Sequence, residues 1–382
     1  MKKIISIILS ITMLMLTACS SADGGGDKQV KVAIVTESKK SDEKSYRAAQ
    51  DIVKLYKLKN KDKSSNDEIE QFVIPSNEEN NEKKSENVVK KIIADDSIKA
   101  VVFSGENKNI LKYIKNIKNA REDILLMGAN LNLTVDEMSK NLDLSFVPTA
   151  IASGKDTVML AKEMGAEQFI IYYSDKDLKD NKNLGKKIAD IENECKNQNI
   201  QLISIKVNDI NSKEDEYKVK KFISEDIGKQ VYKYGKNINL YGTNRVMDDV
   251  ILRRGIKDKL IIAETSDSCL VDEMNDLYRN IMKTGEEGNY KNNASTIAGK
   301  NANYNMDKRI GGLLMPNEMF AVYAAVDTSI KAVEENVSKD TFCKSYFIEK
   351  CISEKDAITG SFKNAKSDKN NVKIVSADQI MY

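Results

Sequence analysis

The chain of 382 residues contains no histidine and no tryptophan. Without histidine there is no Ser-His-Asp triad, no Cys-His dyad, no HExxH zinc helix and no His-ligated metal. The usual general base near neutral pH is missing too. Without tryptophan, a stacking surface for a ring or sugar face has to come from the 15 tyrosines or 9 phenylalanines. An excess of one charge is also missing. Sixty basic side chains stand against 58 acidic ones, for a formal net charge of +2, and no long basic block stands out. Nucleic acid is therefore not an implied partner. No P-loop and no G-x-G-x-x-G occurs, and Gly24-Gly25-Gly26 lies in a small polar stretch. Ser41-Asp42-Glu43-Lys44 and Lys283-Thr284-Gly285 fit the S-x-x-K and K-T-G motifs of penicillin-binding enzymes. Those enzymes place K-T-G on a strand beside the nucleophile, whereas here it ends a predicted helix within a parallel α/β pattern. Both matches read as chance in a Lys- and Ser-rich chain. No catalytic residue, metal site or cofactor is assigned, and the chain is read as a non-enzyme.

The N-terminus has its own pattern. Lys2 and Lys3 precede an apolar run from Ile4 to Leu16. That run is shorter than the roughly 20 residues a spanning helix needs, and it has the charge-then-apolar layout of a secretory signal. Leu16-Thr17-Ala18-Cys19 follows and resembles the lipobox of bacterial lipoproteins. The resemblance implies lipidation of the Cys19 thiol and cleavage just before it, so residues 1–18 read as signal peptide. Residues 19–29 read as a flexible tether, since SSADGGGDK is small and polar. Two or more acyl chains, at about 0.8 kcal/mol per buried CH₂, hold such a protein stably at a membrane. The expected location is the extracytoplasmic face of the cell membrane.

Of five cysteines, Cys19 is spent on the anchor. Cys195 shares a helical stripe with Leu184, Ile188 and Ile191 and reads as a small core residue. Cys343 and Cys351 lie in one predicted helix, where eight residues rise about 12 Å, too far for a disulfide. Cys269 has no obvious partner. No disulfide framework is expected.

From Val30 onward strands and helices alternate. VKVAIVTE (30–37), QFVIP (71–75), KAVVFSG (99–105), DILLMGAN (123–130) and DLSFVP (143–148) read as strands, separated by amphipathic helices. The grammar then restarts with a helix from about Ile151 to Met164-Gly165. Strands follow at QFIIYYSD (168–175), QLISIKV (201–207), INLYGTN (238–244) and KLIIAET (259–265), the third leading into a helix over 245–255 closed by Gly255. A helix bearing Val271, Met274, Leu277, Tyr278 and Ile281 comes next. Residues 283–305, rich in Gly and Asn, read as a long loop with one short strand at STIAG (295–299). IGGLLMP (310–316) is a strand, 319–336 a long apolar helix, and NVKIVSA (371–377) a closing strand. Continuous apolar strands between amphipathic helices imply parallel sheets covered on both faces. The expected fold class is α/β, with two doubly wound parallel-sheet lobes joined by crossovers. The first lobe is expected over 30–148, the second over 149–310, and a return segment completing the first over 311–382.

This layout resembles the class I periplasmic-binding-protein fold shared by sugar-binding proteins, purine-nucleoside lipoproteins and the sensor halves of LacI-type repressors. It is also similar to a family of uncharacterised clostridial-type lipoproteins with this fold, some of which carry a transcriptional-regulator label. GKDTVMLAKEMGAEQFIIYYS (154–174) and MPNEMFAVYAAVDTSIKA (315–332) are the most family-like segments. The resemblance implies a ligand held between two lobes. A small polar metabolite such as a sugar, nucleoside or amine is the expected partner, with an ABC permease behind it. The alternative is a ligand-sensing lipoprotein that signals to a membrane receptor. A cytosolic regulator is disfavoured because no helix-turn-helix stands before Val30.

Open α/β sheets bind ligands beyond the carboxyl ends of their strands. The first lobe offers Glu37, Ser104, Glu106 and Asn130 there; the second offers Tyr173, Ser174, Asn244, Glu264 and Thr265. Ser, Thr and Asn at such places also serve as helix N-caps, a role that does not account for Glu37, Glu106 and Glu264. Three carboxylates in one cleft would disfavour an anionic solute.

Overall fold

The computed structural model describes residues 29–75, 82–149, 153–266, 270–278, 289–356 and 358–382. The leader, the Cys19 lipobox, Cys269, Ile281 and the Lys283-Thr284-Gly285 motif lie outside them. The first series runs β1 (Lys31–Glu37), α1 (Glu43–Lys61), β2 (Glu68–Ile74), α2 (Glu82–Ala94), β3 (Ile98–Gly105), α3 (Ile110–Ala120), β4 (Leu125–Leu131), α4 (Val135–Asn141) and β5 (Leu144–Pro148). The second runs α5 (Gly154–Glu163), β6 (Gln168–Tyr173), α6 (Asp175–Asp180), α7 (Lys182–Asn197), β7 (Gln201–Lys206), α8 (Lys213–Tyr234), β8 (Ile238–Gly242), α9 (Arg245–Asp258), α10 (Leu270–Tyr278) and α11 (Tyr290–Asn303). The chain closes with β9 (Gly311–Leu313), α12 (Asn317–Glu334), α13 (Lys339–Phe342), α14 (Ser345–Asp356), β10 (Gly360–Lys366), β11 (Lys369–Ala377) and β12 (Gln379–Met381).

The first sheet has the order β10-β11-β5-β4-β3-β1-β2, parallel throughout except for the β10–β11 hairpin. The second is β7-β6-β8, also parallel. It is continued by parallel bridges Asn239↔Ile261 and Ile262↔Ile310, and β9 pairs antiparallel with β12. The architecture is thus the expected α/β one of two doubly wound, mainly parallel sheets with crossovers. The closing segment serves both. Helix α12 packs on β3, β4 and β5, β11 lies beside β5, and β12 returns to the second sheet through Tyr382 N–H to the Ile310 carbonyl.

The sequence explains why these elements form. β3 has alternating and consecutive apolar residues buried on both faces, as a central parallel strand needs. Helix α3 buries Ile110, Tyr113, Ile114 and Ile117 on one stripe, the 3.6-residue period of a helix lying on a sheet. Helix α12 is buried on nearly every side from Met319 to Ile330, consistent with its lack of a polar face. At roughly 1.5–3 kcal/mol per fully buried large apolar side chain, it is a principal source of cohesion. Helix α4 begins with a capping box in which Thr134 and Glu137 satisfy each other's backbone N–H.

Four local expectations are corrected. Residues 290–303, including the expected strand at 295–299, form α11 rather than a loop. Tyr290, Asn293, Ile297 and Asn301 are buried at helical spacing, and the Asn289 side chain caps the N–H of Asn292. Asn there acts as cap and buried partner instead of breaker. Gly255 does not end α9, which runs on to Asp258 with Lys259 in the left-handed conformation. Gly255 instead lies where a Cβ would collide with Ile262. The expected strand at 259–265 pairs only around Ile261 and Ile262, because the Ala263 N–H donates to the Asn239 side chain (2.8 Å) and the ladder ends. Cys343 and Cys351 belong to different helical segments, Cys343 following α13 and Cys351 lying within α14. Both are buried and free, as is Cys195.

Candidate functional site

At the carboxyl ends of the first sheet, a few polar side chains bond to one another. The Ser104 hydroxyl, at the end of β3, is fully buried and donates to Ser45 Oγ at 2.8 Å. Asn130 Nδ2 donates to the same oxygen at 3.4 Å, and Asn130 has φ 54°, in the left-handed region. Ser45 thus joins two of the expected residues. Glu37 ends β1 and is buried, with Oε2 accepting the Glu106 N–H at 3.3 Å. The Glu106 side chain itself is exposed. Asp42 caps α1, its Oδ1 accepting the Ser45 N–H at 3.0 Å, while its Oδ2 is buried and accepts no hydrogen bond from a described residue.

Glu37 is held above the ordinary glutamate range. Burial is the main cause, and the negative charges of Asp42 and Glu106 add to it against hydrogen bonds from the Glu106 N–H and Asn107. A carboxyl whose pKa rises on folding takes up protons on folding, so its ionised form costs stability. That cost grows as pH rises through the folded pKa and is absent below the unfolded value of about 4.3. Glu37→Gln is therefore expected to raise the melting temperature at neutral pH, with the gain vanishing on acidification toward that value. Thermal melts across pH check this; a gain that persisted in acid would contradict the cause assigned to the shift.

The second sheet presents a separate cluster. Ser174 is buried and caps α6 through the Asp177 N–H. Asp177 Oδ2 accepts from Thr243 Oγ1 at 2.5 Å and from Asn244 Nδ2 at 2.9 Å. Asn244 also caps α9, accepting the Met247 N–H. Tyr172 is fully buried with its hydroxyl donating to Asp226 at 3.0 Å, while Tyr173 is half-buried against the apolar cluster on the opposite face. Tyr172 thus serves packing, while Tyr173 keeps part of its surface outside the core, as period-two alternation allows. Thr265 is buried, and the neighbouring Ser266 N–H donates to Asp248 at 2.9 Å.

Glu264 is differently placed. It is buried and pairs with the equally buried Lys187 at 2.7 Å, while the Thr157 hydroxyl donates to the same oxygen. Gln379 Nε2 in turn donates to Thr157 at 3.2 Å. The Lys187 ammonium lies 5.0 Å from the Tyr241 ring centroid. Burial works against its charge, but Glu264 and Tyr241 outweigh burial and hold its pKa above the ordinary range. The Glu264 charge is thus matched inside the protein. Lys187 also lines a half-open groove of about 1270 Å³ between α5 and α7 on one side and the β10–β11 hairpin on the other.

Sequence reasoning missed Ser45, Asp42, Asp177, Thr157 and Lys187. Lys187 carried a signal. It stands three residues after Leu184 and four before Ile191 on a stripe that is otherwise apolar, and a charge on a buried stripe implies a buried partner.

A family model described as "Protein of unknown function (DUF3798)" matches residues 30–311. The chain belongs to the DUF3798 family. This DUF3798 protein is similar over nearly its whole length to a solved protein from Clostridium difficile 630 named provisionally as a transcriptional regulator. The identity is 30% and the TM-score 0.76, with 93% of this chain and 99% of that one covered. A sugar ABC transporter structure from Actinomyces odontolyticus matches at 10% identity and TM-score 0.48, covering 92% and 95% of the two chains. An ABC transporter solute binding protein from Clostridium phytofermentas with bound L-rhamnose matches at 11% identity and TM-score 0.38, covering 92% and 96%. No curated protein matches. Among the described residues of this DUF3798 protein, no helix is long and apolar enough to cross a membrane.

Proposed function

We propose that this DUF3798 protein is an extracytoplasmic solute-binding lipoprotein, anchored through Cys19, that captures a small polar metabolite between its lobes for an ABC permease. The observation that carries this reading is the pair of polar clusters at the strand carboxyl ends of two doubly wound sheets, where α/β proteins bind ligands. Glu37, Ser104, Glu106 and Asn130 would contact solute from one lobe, and Tyr173, Ser174, Asn244 and Thr265 from the other. Glu264, already paired with Lys187, would act by positioning the second lobe's strand end. Closure of the lobes around solute supplies the signal to the permease. The regulator name of the Clostridium difficile relative would require contact with DNA, for which the balanced charge and the leader-like residues 1–18 give no support.

The direct test is mass spectrometry of small molecules released when the purified protein is unfolded. A polar metabolite recovered in near-stoichiometric amount, and rebound by the stripped protein, supports the reading. Stripped protein that binds no metabolite in a broad screen rejects it. The anchor is tested separately. Cys19→Ala is expected to leave the protein unlipidated and largely lost from the membrane fraction; unchanged partition into detergent would refute the lipobox.

A further inference from the structure

Glu37 and Asp42 form an unmatched pair of carboxylates. The Gly105 backbone sits between them at φ +123°. A Cβ there would lie 3.5 Å from both Glu37 Oε2 and Asp42 Oδ2, so the absent side chain leaves a cradle flanked by one oxygen of each. Glu37 is 4% exposed. Asp42 Oδ2 is shut off from solvent and accepts no hydrogen bond from a described residue, which is costly for a charged oxygen unless something supplies a donor. Three basic side chains of the same segment pair elsewhere, and a fourth, Lys40, is exposed. Lys39 pairs with Glu43, Lys44 with Glu318, and Arg47 with Asp51. Among the described residues, no lysine or arginine lies within ion-pair distance of Glu37 or Asp42. Buried carboxylates are normally paired or protonated; here Glu37 has only the neutral donors of Glu106 N–H and Asn107, Asp42 only the Ser45 N–H on its other oxygen, and neither has a described cationic partner.

We infer that Glu37 and Asp42 are the cation-binding pole of the solute site and take the protonated primary amino group of the solute, an inference that rests on the solute-binding reading above. An ammonium carries three N–H donors. It can donate to Glu37 and to the orphaned Asp42 oxygen at once and keep a third donor for a neighbouring acceptor. A neutral hydroxyl offers one donor and leaves one of the two charges unmatched. A backbone glycine at this spot lets the amino group approach both oxygens without a side chain in the way. The remainder of the solute would extend toward Ser104, Asn130 and the second lobe.

The test uses the full chain in detergent and compounds paired by skeleton: D-glucosamine with D-glucose, and 1,4-diaminobutane with 1,4-butanediol. Calcium is a further probe. Thermal shift and calorimetry are run on the wild type and on Glu37→Gln, Asp42→Asn and the double variant. Glutamine is isosteric with glutamate and asparagine still caps a helix, and circular dichroism confirms the fold of each variant. The expected result is that an amine binds, its neutral twin binds at least tenfold more weakly, and the double variant loses about tenfold or more in affinity for the amine, as for lost charge-assisted bonds. Binding of the neutral twin equal to that of the amine, an amine affinity unmoved in the double variant, or calcium binding in preference to every amine would each overturn the inference. A neutral compound bound equally by wild type and double variant would overturn the inference alone and leave the solute-binding reading standing. No binding by any probe, together with no metabolite released on unfolding, would overturn both.

Discussion

Lys187→Met is expected to destabilise the protein by about 3–5 kcal/mol, the scale for removing one partner of a buried ion pair. Lys187 and Glu264 are both buried and 2.7 Å apart. With the ammonium gone, Glu264 keeps only the Thr157 hydroxyl among the described residues and has to hold an unmatched charge away from water or take up a proton. The second change should undo the first. In Lys187→Met/Glu264→Leu neither charge remains, and replacing a buried pair by apolar groups is often neutral or stabilising. Urea unfolding of the single and double variants measures the coupling. A double variant as unstable as Lys187→Met would mean that the loss comes from packing around α7 rather than from the stranded carboxylate.

Tyr290→Ala should have a comparable effect, about 3–5 kcal/mol on the scale of large aromatic truncations. Tyr290 opens α11, is 2% exposed, and meets the Tyr323 ring edge-on at 5.8 Å and 80°. Its hydroxyl lies 3.6 Å from Met319 Sδ and 3.5 Å from Asp51. A residue from the second series thereby plugs into α1 of the first and α12 of the closing segment, and truncation would leave a cavity at that junction. Tyr290→Phe keeps the ring and should cost about 1 kcal/mol or less. If residues 290–303 were the loop that their Gly and Asn content suggests, Tyr290→Ala would stay within the ±0.5 kcal/mol typical of a surface change.

These two residues mark where reading the sequence succeeded and where it stopped. The strands were legible because β1, β3, β4, β6 and β8 are buried on both faces, and such strands appear as unbroken apolar runs between Gly, Asn or Asp. Helix α12 was legible for the same reason. Helix α11 was not, since its buried face includes Asn293 and Asn301, and hydrogen bonds such as Tyr278 Oη to Asn301 make those residues interior in a way composition does not show. The candidate site was legible as a set of positions, because strand ends follow from strands. Its charge pattern was not. Glu37 and Glu264 both end apolar runs and look alike in the sequence, but Lys187 lies 77 residues from Glu264 and reaches it only through the packing of α7. Glu37 has Asp42 as its neighbour instead. Which carboxylate is matched and which is left open is a property of tertiary structure.

That the solute is held by the strand ends of both lobes is tested most directly by hydrogen–deuterium exchange with and without the metabolite recovered from the purified protein. Exchange slows where binding suppresses local opening. Protection should appear together in the backbone around residues 37–45, 104–107 and 130 of the first lobe and around 173–177, 243–247 and 264–266 of the second. Protection confined to one lobe, or centred on the groove between α5, α7 and the β10–β11 hairpin, would contradict a solute clamped between the two.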